Sequence, residues 1–118
     1  MSRPPRSKIG DTPFDALGYE IVQEQASTLG RLGRRLEATL AALATFDAET
    51  PLGHGDEPDA ERCKKRAALV REAGTALWHL IVQREVLGLR DTPRLMREYG
   101  VPNEVRDRMG MLTPGRRP

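Results

Sequence analysis

The feature that most constrains the fold is an apolar side chain repeated every seven residues along a stretch without proline. No proline occurs between Pro13 and Pro51. A seven-residue repeat keeps apolar side chains on one face of a helix and is typical of helices that pack lengthwise against other helices. It predicts a long helix over about residues 13–48. The repeat consists of Val22, Leu29, Leu36 and Leu43.

A second long helix is predicted over about residues 58–87, because Pro58 suits a first helical position and Gly88 suits a helix end. The intervening segment is rich in Gly and Pro and forms a short loop. Two long helices joined in this way fold back as an antiparallel hairpin. If the turn is centred near Gly53, Gly33 on the apolar face of the first helix would lie level with Ala73 and Gly74 of the second. These small residues would allow the two helices to pack closely.

The C-terminal part is predicted to form two short helices, over about residues 93–99 and 102–109. Each begins near a proline and ends at a glycine, Gly100 or Gly110. No strand-like alternation of useful length occurs, so the fold class is all-α. We expect a single helical domain over 12–110, with a disordered basic arm over 1–11 and a disordered tail over 111–118.

A two-helix hairpin encloses no core by itself, which raises the question of what covers its apolar side chains. The stretch from Ala76 to Val82 is apolar on nearly every side and must be covered from more than one direction. A second copy would cover it in a homodimeric four-helix bundle with two-fold symmetry, which is our main expectation. The alternative is a monomer capped by its own C-terminal helices. The candidate dimer or core belt is Leu77, Trp78, His79, Leu80 and Ile81.

One polar cluster is expected between the two long helices, close to the apolar belt. Buried polar groups must be paired, so its role is expected to be fixing the helix register rather than binding a ligand. Its members are Gln23, Glu24, Gln83, Arg84 and Glu85.

The sequence offers little to catalysis or to a cofactor. No Glu-x-x-His pair of the di-iron type occurs, and the two histidines are His54 in the loop and His79 in the belt. Cys63, the only cysteine, is interpreted as a small apolar filler. No phosphate-binding glycine loop is found. We therefore expect no catalytic residue, no metal and no cofactor, and a protein that is not an enzyme.

Residues 92–110 have the outline of a helix-turn-helix, which makes DNA binding the alternative function. The spacing fits poorly, because Arg106 stands where that motif has a buried aliphatic residue, and Val105 comes one position early. A further basic group, Arg62 with 64–66, is interpreted as a solvated face. The arginines available for phosphates in this alternative are Arg94, Arg97, Arg106 and Arg108.

Charge and targeting signals favour a cytoplasmic protein without a membrane partner. The 19 Lys and Arg residues against 17 Asp and Glu give a net charge of +2. This small surplus lies mainly in the two tails, whereas a nucleic-acid-binding protein concentrates basic residues on one element. No signal peptide and no apolar run long enough to span a bilayer is found.

Several short motifs resemble a family of small, all-helical bacterial proteins of unknown function, over about residues 12–110. The resemblance implies a bacterial, cytoplasmic, stand-alone protein, and it implies no activity or site. The motifs are Leu17-Gly18-Tyr19-Glu20, Leu29-Gly30-Arg31, Leu77-Trp78, Gln83-Arg84-Glu85 and Gly88-Leu89-Arg90-Asp91.

The sequence therefore predicts a non-enzymatic helical interaction or scaffold module. Its expected partners are a second copy of the chain and another protein whose identity the sequence does not reveal.

Overall fold

The protein folds into four α-helices in a computed structural model that describes residues 13–49 and 59–110. Within those ranges no strand occurs, so the all-α prediction is confirmed. The predicted N-terminal arm, the loop with His54 and the C-terminal tail lie outside the described residues. The helices are α1 (Pro13–Glu49), α2 (Asp59–Val86), α3 (Thr92–Tyr99) and α4 (Asn103–Gly110).

The chain divides into two compact units within α1, one ending at Arg31 and the other beginning at Leu32. The first contributes residues 13–31 to the described structure. The second contains the remainder of α1 together with α2, α3 and α4.

The long helices α1 and α2 form an antiparallel pair in contact, as the hairpin prediction requires. Asp47, close to the end of α1, forms an ion pair with Arg66 near the start of α2. The guanidinium carbon of Arg62 lies 5.3 Å from the ring centroid of Phe46. The end of one helix therefore meets the beginning of the next.

All four helices contribute to the apolar core of the second unit. The short helices supply one buried apolar side chain each, Leu95 from α3 and Val105 from α4, and α4 packs against α2. The core belongs to a single chain, because the C-terminal helices cover the α1–α2 pair. Its buried residues are Leu36, Leu43, Ala73, Ala76, Leu77, Leu80, Ile81, Leu95 and Val105.

The seven-residue repeat of α1 is buried only in part. Leu36 and Leu43 lie in the core of the second unit, and Leu29 is half-buried. Val22, in the first unit, is 61% exposed. The seven-residue repeat is uniform in the sequence, but its residues are buried in the second unit and Val22 is exposed in the first.

The close approach expected between Gly33 and Gly74 is not observed, because each glycine faces one of the short helices. A Cβ atom added at Gly33 would lie 2.6 Å from Oη of Tyr99 in α3. One added at Gly74 would lie 3.1 Å from Cγ of Arg108 in α4. The two glycines therefore leave room for the side chains of Tyr99 and Arg108.

Glycine in the left-handed conformation ends α3 and sets the turn into α4. Gly100 has φ 64°, and its N–H donates to the carbonyl of Arg97. The N–H of Val101 donates to the carbonyl of Met96 at 3.0 Å. This pair of hydrogen bonds is a Schellman motif, which satisfies the last carbonyls of a helix.

Candidate functional site

A concave surface with exposed positive charge lies between α3 and α4, and this groove has a volume of about 520 Å³. The exposed guanidinium groups of Arg97 and Arg106 lie along it. The sequence singled out these two arginines but not the residues around them. The other side chains that shape the groove include Pro93, Met96, Val101 and Asn103.

The four arginines proposed as phosphate contacts fall into two groups. Arg94 is engaged by its own helix, since its Nε atom lies 3.0 Å from Oε2 of Glu98 and Nη1 lies 3.7 Å from Oδ2 of Asp91. Arg108 is half-buried, and its aliphatic stem lies over Gly74 of α2. Only Arg97 and Arg106 share one surface.

The burial pattern of α4 differs from that of the usual helix-turn-helix. Val105 is fully buried, whereas Arg106 is exposed and lines the groove. The aliphatic anchor therefore does stand one position earlier than in that motif. The position that the motif buries is therefore exposed in this protein.

A three-residue ion-pair cluster joins α1, α2 and α4. Arg66 donates from Nε and Nη2 to the two carboxylate oxygens of Asp47, at 2.8 and 2.9 Å. It also donates from Nη1 to Oε1 of Glu104 at 3.0 Å, and from Nη2 to Oε2 of the same carboxylate. The planar guanidinium fork suits two carboxylates at once, as an ammonium group would not.

The electrostatics of this cluster favour its charged form. Hydrogen bonds from Arg66 lower the pKa of both Asp47 and Glu104, and outweigh the opposing effect of burial. Hydrogen bonds to the two carboxylates raise the pKa of Arg66 above its usual range. The cluster therefore holds three helices together at neutral pH.

The sequence interpretation of this basic segment as a solvated face is wrong for two of its members. Arg62 is only 7% exposed and stacks on Phe46. Arg66 pairs with residues 19 and 38 positions away, which short-range spacing does not reveal. The sequence showed only that acidic residues, Asp47 and Glu49, lie close to the end of the preceding helix. Cys63, expected to fill the core, is exposed.

The predicted polar cluster contains residues from both units. Gln23 is exposed and donates from Nε2 to the Tyr19 hydroxyl at 3.2 Å, and Glu24 is exposed as well. Gln83 and Arg84 are half-buried near the end of α2, and Glu85 is exposed. Pairing between the two groups remains a prediction.

The belt residues of α2 lie in or beside the core. Leu77, Leu80 and Ile81 are buried, whereas Trp78 and His79 are half-buried with ring centroids 5.6 Å apart. Across 13–49 and 59–110, no group of three or more His, Cys, Asp or Glu side chains is placed to share a metal ion. Over the same ranges, no helix has the length and apolar content needed to cross a bilayer.

The largest apolar side chains left uncovered are grouped on two helical segments. One is the last part of α2 and the turn after it, where Val82, Val86 and Leu89 are exposed. The other, called here the α1 apolar stripe, belongs to the first unit. It consists of Phe14, Leu17, Ile21 and Val22.

Comparison with known proteins identifies the family. A family model described as a family of unknown function (DUF6665) matches residues 6–117. No curated protein and no solved structure matches this chain. The resemblance to an all-helical family of unknown function is thus confirmed. Because the match spans nearly the whole sequence, the chain belongs to the DUF6665 family.

Proposed function

We propose that this protein is a non-enzymatic interaction module that forms a homodimer through the α1 apolar stripe. The observation that carries the proposal is the exposure of this stripe. Phe14 is 83% exposed, and Leu17, Ile21 and Val22 are each about half exposed or more. Contiguous exposed apolar side chains on a water-soluble surface are typical of an interaction site.

A second copy of the chain is the partner that best fits the stripe. Val22 belongs to the seven-residue repeat that is buried as Leu36 and Leu43 elsewhere in α1, and this repeat is typical of helix-to-helix packing. In a two-fold dimer the same patch serves both copies, so one apolar face meets another of equal character. In such a dimer the α1 helices of the two copies pack against each other.

The α2 belt no longer carries the argument for a dimer. Leu77, Leu80 and Ile81 are covered within a single chain, with the short helices contributing Leu95 and Val105. The apolar side chains that a partner would cover are therefore those of the α1 apolar stripe and not those of the belt.

Light scattering of the purified full chain and of stripe variants tests the proposal. The wild-type particle should have twice the chain mass of 13.1 kDa at micromolar concentration. Val22→Glu and Ile21→Glu should each yield the mass of one chain, because a carboxylate placed in the interface would lose its hydration. Both residues are exposed in the single chain, so helical circular dichroism should be unchanged.

The matched control is Ser27→Glu, which adds the same charge to α1 at an exposed position outside the stripe. It should remain dimeric. A wild-type particle with the mass of one chain, or variants that remain dimeric like the control, would overturn the proposed interface.

A second candidate function is DNA binding by residues 92–110, which is favoured by the exposed Arg97 and Arg106 on one groove. Retention on duplex DNA that falls steeply with salt, and that is lost in the R97A/R106A protein, is the expected result for this function. No retention at low salt would eliminate it.

A further inference from the structure

We propose that the α3–α4 groove binds an acidic, partly apolar peptide segment of another protein. The inference rests on the proposed role as an interaction module, but it concerns a surface other than the α1 apolar stripe. It assigns to the groove a ligand class, which is a carboxylate-bearing peptide.

The first argument is the charge of the groove. Arg97 and Arg106 are exposed, one on each short helix, and both lie on the same concave surface. Within residues 13–49 and 59–110, neither guanidinium has an ion-pair or hydrogen-bond partner. No acidic side chain lines the groove, so the two positive charges are available to a carboxylate from outside.

The second argument is the apolar character of the groove between those charges. Pro93 and Met96 contribute from α3, and Val101 contributes from the turn. Methionine adapts its shape to different partners and is common on binding surfaces. A volume of about 520 Å³ accommodates a few side chains of an extended peptide.

The third argument concerns the surroundings of the groove, which disfavour a nucleic acid. Arg94 is already paired with Asp91 and Glu98, so it offers little to a phosphate. Asp107 follows Arg106 directly and is exposed. A duplex presents a continuous row of phosphates and requires an extended basic surface, whereas a short acidic peptide requires only two well-placed cations.

Fluorescence polarisation with the full chain tests the proposal. The probe is a labelled peptide with an Asp-Glu pair flanked by leucines, and the matched peptide carries Asn-Gln instead. The acidic peptide should bind, and the neutral peptide should bind at least about tenfold more weakly, because only the carboxylates engage the guanidinium groups.

Substitutions on the two short helices locate the site. The R97A/R106A protein should bind the acidic peptide about tenfold more weakly or worse, since both charge-assisted contacts are removed. Arg94→Ala is the matched control and should bind within about twofold of wild type, because Arg94 is also an exposed arginine of α3 but is already paired.

Three outcomes would overturn the proposal: absence of binding to the acidic peptide, equal binding of the neutral peptide, or equal loss of affinity in the Arg94 control. Displacement of the peptide by duplex DNA at lower concentration than by unlabelled peptide would assign the groove to nucleic acid. The Val22→Glu protein should still bind the peptide. A failure of dimerisation is therefore distinguishable from a failure of the groove.

Discussion

At the scale of single residues, Arg66 joins three helices through polar contacts. It donates to Asp47 of α1 and Glu104 of α4 from its place in α2. Its side chain is 28% exposed, so water competes only partly for these contacts. Through Arg66 of α2, the cluster links the end of α1 to the start of α4 in a way that apolar packing alone would not specify.

Replacing Arg66 by methionine should lower the free energy of unfolding by about 1 kcal/mol, as measured by urea denaturation. The two carboxylates lose their shared donor, but both are exposed enough to regain water. Lys65→Met is the matched control, because Lys65 is an exposed neighbour on the same helix. It should change stability by less than about 0.5 kcal/mol. Equal effects of the two substitutions would show that the cluster contributes nothing.

The same cluster makes a prediction for pH. The pKa of each acid is lowered on folding from an ordinary value of 3.8 for Asp47 and 4.5 for Glu104. Their contribution is therefore complete above those values and is lost as the pH falls through the lower folded values. The stability difference between wild type and Arg66→Met should shrink between about pH 5 and pH 3. A difference independent of pH would contradict this account.

Gly33 leaves space for the hydroxyl of Tyr99. Substituting Gly33 by alanine, and comparing the effect with the same substitution at the open position Gly18, tests this contact. Alanine usually stabilises a helix by up to about 1 kcal/mol over glycine. Gly18→Ala should show that gain, since nothing lies within 4 Å of the added atom. Gly33→Ala should not show this gain in stability, because the added Cβ atom meets Oη of Tyr99. The G33A/Y99F protein, which lacks Oη, should show the gain. Removal of Oη leaves Cζ of the ring, at 3.7 Å, as the nearest atom.

At the scale of elements, the sequence predicted the helices well, because their signals are local. Proline at Pro13 and Pro93 and glycine at Gly88 and Gly100 mark boundaries that the structure places within one residue of the expected helix ends. The packing of the short helices was not predictable in the same way. Tyr99 and Arg108 are polar residues with no sequence signal for contact with a glycine on a distant helix.

The turn between α3 and α4 depends on Gly100, which adopts φ 64°. Gly100→Ala should lower the free energy of unfolding by about 1 kcal/mol, because a Cβ atom is disfavoured in this conformation. Denaturation of Gly100→Ala is compared with denaturation of the control Gly110→Ala. Gly110 is a suitable control because its φ is not positive and no atom lies within 4 Å of an added Cβ. A comparable loss at Gly110 would indicate a general effect of substitution in this region rather than strain at the turn.

At the scale of the whole molecule, the sequence indicated that apolar surface exceeds what two helices can cover, and it offered either a second chain or the short helices as cover for the belt around Leu77. Leu77, Leu80 and Ile81 are buried within a single chain, to whose core the short helices add Leu95 and Val105. Val22 holds the same place in the repeat as Leu36, yet it is 61% exposed. Which turns of a uniform repeat are covered depends on where the last two helices pack, and no local pattern encodes that. The groove was foreseen only through Arg97 and Arg106, because its apolar walls come together only when both short helices are in place.

The most direct test of the central claim is a distance measurement between two copies of α1. A nitroxide at position 27 in the S27C/C63S protein would lie on an exposed part of α1 outside the α1 apolar stripe, and the exposed native cysteine would be absent. Double electron–electron resonance should give one defined distance between the labels, and that signal should disappear when Val22→Glu is added. If the labelled protein with an unaltered stripe gave no distance between labels, and its particle had the mass of one chain, the account would be contradicted.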